Sequence, residues 1–235
     1  MILAFGIAAW DLAPICAAEG LPTADDVLRE LVKRSQSQGI LQSRGYYLCM
    51  KQTVTEDFDS SGRVTERKVK VSESHPNPSE TKDANKWTSQ NGINLNEDLL
   101  RRYQFTLLRR EILNGRPAFL LTFVPRDPPP PVHHFQDRLL NRATGTLWID
   151  EQDYELVKAN LCLSEPVSFG ILGAVDALAF GFERLHTDDG NWLMKWTDTF
   201  FKGRKFVIPI QIRKRVDCTD FKRLNAPGDQ TSATD

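Results

Sequence analysis

Several things are scarce in this sequence, and each scarcity removes a class of protein. There is no excess of either charge: 30 lysines and arginines face 31 aspartates and glutamates, for a formal net charge of −1. A chain without a basic surplus offers no field to a polyanion, so nucleic acid is not an expected partner. Beyond the first residues, no apolar run approaches the roughly 20 residues that a membrane-spanning helix needs. A Walker loop, a G-x-S-x-G elbow, an H-E-x-x-H helix and a glycine fingerprint after a strand are all missing, so neither a cofactor nor catalysis is expected. Histidine is rare, with 4 in the chain. The adjacent His133 and His134 project differently and have no third ligand nearby in sequence, so no metal site is expected. Asp150 with Glu151, and Glu183 with Asp198, are conceivable acid and base pairs. Carboxylates at turns and strand rims are too common to single these out.

Cysteine is sparse as well, with 4 in the chain. Cys49, Cys162 and Cys218 lie far apart in sequence and none forms a C-x-x-C pair, which excludes the usual zinc and redox spacings. In an oxidising compartment one disulfide is open, with Cys162 and Cys218 on late strands as the pair; buried free thiols are the alternative.

What is present begins with an apolar stretch, Met1 to Trp10, followed by Cys16-Ala17-Ala18 before Glu19. These small residues suit signal-peptidase cleavage, giving an expected leader over residues 1–18 and a periplasmic or otherwise secreted product. An acylated Cys16, which would anchor the chain to the envelope, and an ordinary buried N-terminal element are the other readings. Thr23, followed by Asp25 and Asp26 and then Val27, Leu28, Leu31 and Val32 at helical spacing, predicts a capped amphipathic helix.

From Tyr46 the pattern becomes β. Tyr46 to Glu56, a turn at Asp59-Ser60-Ser61-Gly62 and Arg63 to Ser72 predict a hairpin. The polar stretch from His75 to about Asn96 predicts a mobile flap, with a short helix near Asn96 to Arg102. Tyr103 to Ile112, Asn114-Gly115 and Ala118 to Val124 predict a second hairpin. The run Pro128-Pro129-Pro130-Pro131 predicts a stiff surface loop. Past Thr144-Gly145, strands are expected at Thr146 to Asp150 and Leu156 to Ser164. Phe169 to Ala179 reads as a strand pair, a short helix or a lid. Phe180 to His186, Trp192 to Phe201, a Lys202-Gly203 turn and Phe206 to Cys218 complete a meander. The polar residues 225–235 are expected to be a disordered tail, leaving residues 19–224 as one domain.

About ten strands joined by tight turns, with one helix in front, imply a large curved antiparallel sheet, mainly β within an α+β class. Such a sheet has an apolar face that something must cover, and the first helix and the Phe169 to Ala179 segment are the candidates. Alternating positions place Phe119, Leu121 and Phe123 on one side of a strand, and Trp192, Met194 and Trp196 on one side of another. Phe206, Ile208, Ile210 and Ile212 alternate on the last. A core beneath a helix needs such residues simply to fold. A half-open sheet of this size also has room for a guest, and each buried methylene of an acyl chain contributes about 0.8 kcal/mol. With Phe105 and Trp148 added, the expected cavity lining is Phe105, Phe119, Leu121, Phe123, Trp148, Trp192, Met194, Trp196, Phe206 and Ile208. The basic cluster Arg213-Lys214-Arg215, with Arg204 and Lys205, suits either a solvated sheet edge or anionic head groups.

Asn114-Gly115-Arg116-Pro117-Ala118, the strand from Phe119 to Arg126, Gly145-Thr146-Leu147-Trp148-Ile149-Asp150 with Asp153, and Leu156-Val157-Lys158-Ala159 together resemble the LolA-like superfamily of bacterial periplasmic proteins. Gly190-Asn191-Trp192-Leu193, Phe201-Lys202-Gly203-Arg204 and Asp217 to Phe221 extend the resemblance, which covers about Thr23 to Leu224. It implies an incomplete antiparallel barrel wrapped over helices that accepts lipoprotein acyl chains or a related lipid. An inner- or outer-membrane protein partner, a monomeric state and no enzymatic activity are expected alongside. The same fold serves envelope sensors that bind proteins. Arg44 is the positional candidate for the arginine that latches the lid in the carriers.

Overall fold

The computed structural model describes residues 20–38, 46–74 and 97–224. The expected leader, the polar flap, the C-terminal tail and Arg44 lie outside the described residues. Helix α1 (Ala24–Gln38) begins where expected. The Asp26 backbone N–H donates to Thr23 Oγ1, and the Thr23 N–H donates back to Asp26 Oδ2 at 3.3 Å. This reciprocal cap satisfies amides that the first helical turn leaves free.

The strands are β1 (Tyr46–Phe58), β2 (Val64–Ser74), β3 (Tyr103–Leu113), β4 (Arg116–Pro125), β5 (Ala143–Asp150), β6 (Leu156–Leu163), β7 (Val167–Ser168), β8 (Gly173–His186), β9 (Trp192–Lys205) and β10 (Ile208–Leu224). Two short helices, α2 (Glu97–Arg101) and α3 (Phe135–Leu140), complete the described elements. All strands join one antiparallel sheet in the order β2-β1-β10-β9-β8-β6-β5-β4-β3, with β7 paired to β8. The sheet does not close on itself, so β2 and β3 are its edges.

The turns mostly follow their residue chemistry. Asn114 and Gly115 both adopt positive φ, as the tightest hairpin turns require. Asp59 Oδ1 accepts from the backbone of Ser61 and Arg63 to fold the β1–β2 turn. The turn expected at Lys202-Gly203 is instead strand interior, and β5 begins ahead of the expected Thr146 so as to include Gly145. Gly145 lies within β5, where a Cβ would come within 2.1 Å of the Asn160 carbonyl oxygen. Gly203 lies within β9, where a Cβ would meet the Ala174 carbonyl oxygen at 2.4 Å. Both glycines permit close strand approach, and the β9–β10 turn falls at Phe206 and Val207.

The core lies between α1 and one face of the β3–β8 half of the sheet. Val27, Leu28 and Leu31 of the helix pack with Tyr103, Phe119, Leu121, Phe123, Leu147, Ile149 and Phe182. The helix is also tied electrostatically: Arg34 lies 3.7 Å from Glu155 Oε1, and Arg184 donates to Glu155 Oε2 at 3.0 Å. Phe169 to Ala179 does not form a cover. It comprises Phe169, the 3-10 turn Gly170–Leu172 and the first part of β8. Its apolar Ile171 and Leu172 face solvent, and Gly173 to Val175 pair with β9.

Candidate apolar groove

The expected cavity residues fall into separate places, and the sheet register explains why. Phe119, Leu121 and Phe123 share one face of β4, buried under α1, with Phe105 half-buried beside them. This is closely packed protein core. Met194 joins its margin.

Trp196 stands on the other face. Arg184 pairs with Met194 but Glu183 pairs with Trp196, leaving Lys195 as the extra residue of a bulge. An inserted residue reverses the alternation beyond it. Trp148 shares that second face: Trp148 pairs with Lys158, Lys158 with Glu183, and Glu183 with Trp196. The Trp148 indole N–H donates to Glu111, and the Lys158 ammonium lies 5.1 Å from its ring centre.

Trp192 sits elsewhere, at the end of β9. Its indole N–H donates to Asp153 at 3.2 Å, and the Arg116 guanidinium lies 5.4 Å from its ring centre. Around it is a cavity of about 240 Å³ lined by Asn114, Arg116, Asp150, Arg184 and His186 among others. Phe206 and Ile208 are exposed at the β9–β10 turn, away from both cavity and core.

On the second face, Trp196 borders an open groove of about 530 Å³, within the usual range for a small-molecule site. Ala179 and Gly181 of β8 form part of its floor, and Trp196 and Phe200 of β9 form a wall. Gly181 matters here, because a Cβ on it would lie 3.2 Å from the Trp196 ring and 2.8 Å from Asn160 Oδ1. The apolar surface continues toward β1, where Phe58 meets Phe200 edge to face with ring centres 6.4 Å apart. At the rim the Arg213 guanidinium grips the Asp198 carboxylate, with Nε to Oδ1 at 3.0 Å, and Arg215 lies over Trp196. Phe200, Gly181 and the Asp198–Arg213 pair escape a reading of the sequence. The signal that marks them, Trp196, Asp198 and Phe200 alternating on β9, has meaning only once the bulge is located.

The carboxylates considered as acid and base have structural partners. Arg116 holds Asp150 in a bidentate pair at 2.7 and 2.8 Å, and the backbone N–H groups of Gln152 and Asp153 donate to the same carboxylate. Burial pushes the Asp150 carboxyl upward, but these donors outweigh it and hold its pKa below the ordinary value. Glu183 is likewise pushed up by burial and brought below the usual range by Lys195, Asn114 and Lys158. Both are therefore ionised anchors and not proton donors near neutral pH. His133 and His134 offer their backbone N–H groups to Asp137 at the start of α3. Among the described residues, no three His, Cys, Asp or Glu side chains cluster closely enough to hold a metal ion.

The cysteines are placed differently from the expected pairing. Cys162 is exposed on β6, whereas Cys218 is buried on β10, with β8 and β9 between them. Three strand spacings amount to about 14 Å, too far for a disulfide. Cys218 instead neighbours Cys49 on β1, whose thiol is pushed up to about 12, first by burial and then by its hydrogen bond to Cys218.

The fold is thus a single, open, mainly antiparallel sheet with a helix on one face and an apolar groove on the other. No family model matches the chain, and no curated protein matches it. Solved structures contain chains similar to it at low identity. One is an outer-membrane lipoprotein-sorting protein domain from Vibrio parahaemolyticus, at 11% identity, covering 88% of this chain and 95% of that one with a TM-score of 0.32. Another is a LolA superfamily protein from Nitrosomonas europaea, at 12% identity, covering 91% of this chain and 99% of that one with a TM-score of 0.30. A third is in the Pseudomonas aeruginosa MucA/MucB complex, at 11% identity, covering 86% of this chain and 99% of that one with a TM-score of 0.28. These likenesses transfer no ligand, and the groove is read from its own residues.

Proposed function

We propose that this chain is a non-enzymatic envelope protein that binds an acyl chain, of a lipoprotein or a related lipid, in the groove between β6, β8 and β9. The observation that carries the reading is the apolar wall of Trp196 and Phe200 over the side-chain-free floor at Gly181, rimmed by Arg213 and Asp198. An extended aliphatic chain fits such a surface, and the rim charges suit a polar head. Large aromatic side chains bury much area without demanding one ligand shape. Release then requires a site where the chain is buried more completely. The work would be done in the periplasm. No helix among the described residues is long and apolar enough to cross a membrane.

Native mass spectrometry of protein taken from its own envelope, followed by titration with a fluorescent fatty acid, tests the proposal. Retained lipid and displaceable probe at micromolar protein are expected. Absence of both overturns it.

One observation favours a second reading, a module that binds a protein. β2 is an 11-residue edge strand with exposed Val69 and Val71, and an outer edge of that length can accept another strand. Under this reading, pull-down would recover a stable partner without lipid, and substitutions on β2 would release it.

A further inference from the structure

At one end of the sheet the 3-10 turn Gly170–Leu172 lies against the β9–β10 turn. Gly173 pairs with Lys205, and the Phe206 backbone N–H donates to the Leu172 carbonyl at 3.1 Å. The side chains carried by these joined turns are aliphatic or aromatic and project into solvent. Ile171 is 88% exposed, Leu172 60%, Val207 90% and Ile208 63%. Isolated exposed apolar residues are ordinary, but a contiguous set marks an interaction site.

The backbone adds an independent observation. Phe206 has φ of 54°, in the left-handed region where Asn, Asp and Gly are at home and a bulky aromatic is rare. The β3–β4 hairpin meets the same demand with Asn114 and Gly115. An exposed bulky aromatic in this region is the kind of backbone outlier that clusters at functional sites.

The charge around the tip is mostly of one sign. Lys202, Arg204 and Lys205 are exposed on the strand leading into the tip. Asp176, in the bulge opposite Lys202, is the acidic residue that the pairing brings nearest. Arg138 adds a cation near Phe169, which stacks on the exposed Phe135 with ring centres 3.8 Å apart.

We propose that this tip docks the protein on an anionic lipid bilayer, with Ile171, Leu172, Phe206 and Val207 entering the interface and Arg204 and Lys205 meeting the head groups. Aliphatic side chains on a projecting tip behind a band of cations are the arrangement that interfacial binding uses. A protein partner would instead need a matching pocket and would not need the cations. Docking does not depend on the groove's being a lipid site. It would, however, bring the groove close to the membrane, since Phe200 precedes Lys205 on β9 by about 17 Å at the usual rise of a strand.

Flotation of the full chain with vesicles tests the inference. The protein should float with vesicles of equimolar phosphatidylcholine and phosphatidylglycerol and only weakly with phosphatidylcholine alone, and added salt should weaken the anionic binding. Val207→Asp and Ile171→Asp should each cut bound protein at least tenfold with an unchanged circular dichroism spectrum. The Arg204→Glu/Lys205→Glu pair should abolish the preference for anionic vesicles. Ile112→Asp, which changes an exposed apolar residue at the other end of the molecule, should bind like the parent. Failure of the parent to float, equal binding to both vesicles, or indifference to Val207→Asp overturns the proposal. So does concentration-dependent self-association that Val207→Asp abolishes without vesicle binding, which would assign the tip to a second copy of the chain. Trp196→Ala should float normally, so loss of groove binding and loss of docking are separable.

Discussion

Met194 and Trp196 project to opposite faces of the sheet although only Lys195 separates them, because Lys195 is the extra residue of a bulge against Glu183. Strict alternation would have placed both indole and thioether in the core. The bulge leaves Met194 at the core margin and gives Trp196 to the groove. A bulge next to a site re-aims a side chain in this way.

Trp196→Ala should therefore lower affinity for a fluorescent fatty acid by about tenfold, or about 1.4 kcal/mol, while barely changing the urea midpoint. A midpoint that falls while affinity stays constant would make Trp196 a structural residue.

Phe119→Ala tests the other face. Phe119 is buried beneath α1, and truncation of a buried phenylalanine typically costs about 3–5 kcal/mol. Urea unfolding should show a loss of that order. A change below about 1 kcal/mol would mean that the helix does not rest where it is described.

The Arg116–Asp150 pair predicts acid sensitivity. The folded pKa of Asp150 is depressed, so its contribution is complete above the unfolded carboxyl value of about 3.9 and is lost as pH falls through that value toward the folded one. Arg116→Ala strands a carboxylate that is 1% exposed and should cost about 3 kcal/mol at neutral pH. It should also flatten the acid limb of the stability curve. An acid limb identical to that of the parent would mean that other carboxylates set it.

Thiol reactivity should be sharply divided. Cys162 is exposed and should be alkylated in the native protein, whereas the buried Cys49, whose pKa is pushed up to about 12, should react only on unfolding. Mass spectrometry of native and urea-treated protein after alkylation distinguishes the two. Rapid native labelling of Cys49 would contradict its burial.

The sequence alone determined the local architecture wherever short-range chemistry decides. The cap at Thr23 and Asp26, the helical spacing of Val27, Leu28 and Leu31, and the φ demands of Asn114-Gly115 all act within a few residues. The alternation of Phe119, Leu121 and Phe123 is unbroken, so their shared face was legible too. Tertiary structure alone decided which face each later aromatic joins, because an extra residue such as Lys195 is visible only against the strand it fails to pair with. It also decided that Gly203 serves strand approach instead of a turn, and that Cys218 meets Cys49 and not Cys162. Each of these depends on a neighbour brought from far along the chain, and register between distant strands is a property of the assembled sheet, not of any segment within it.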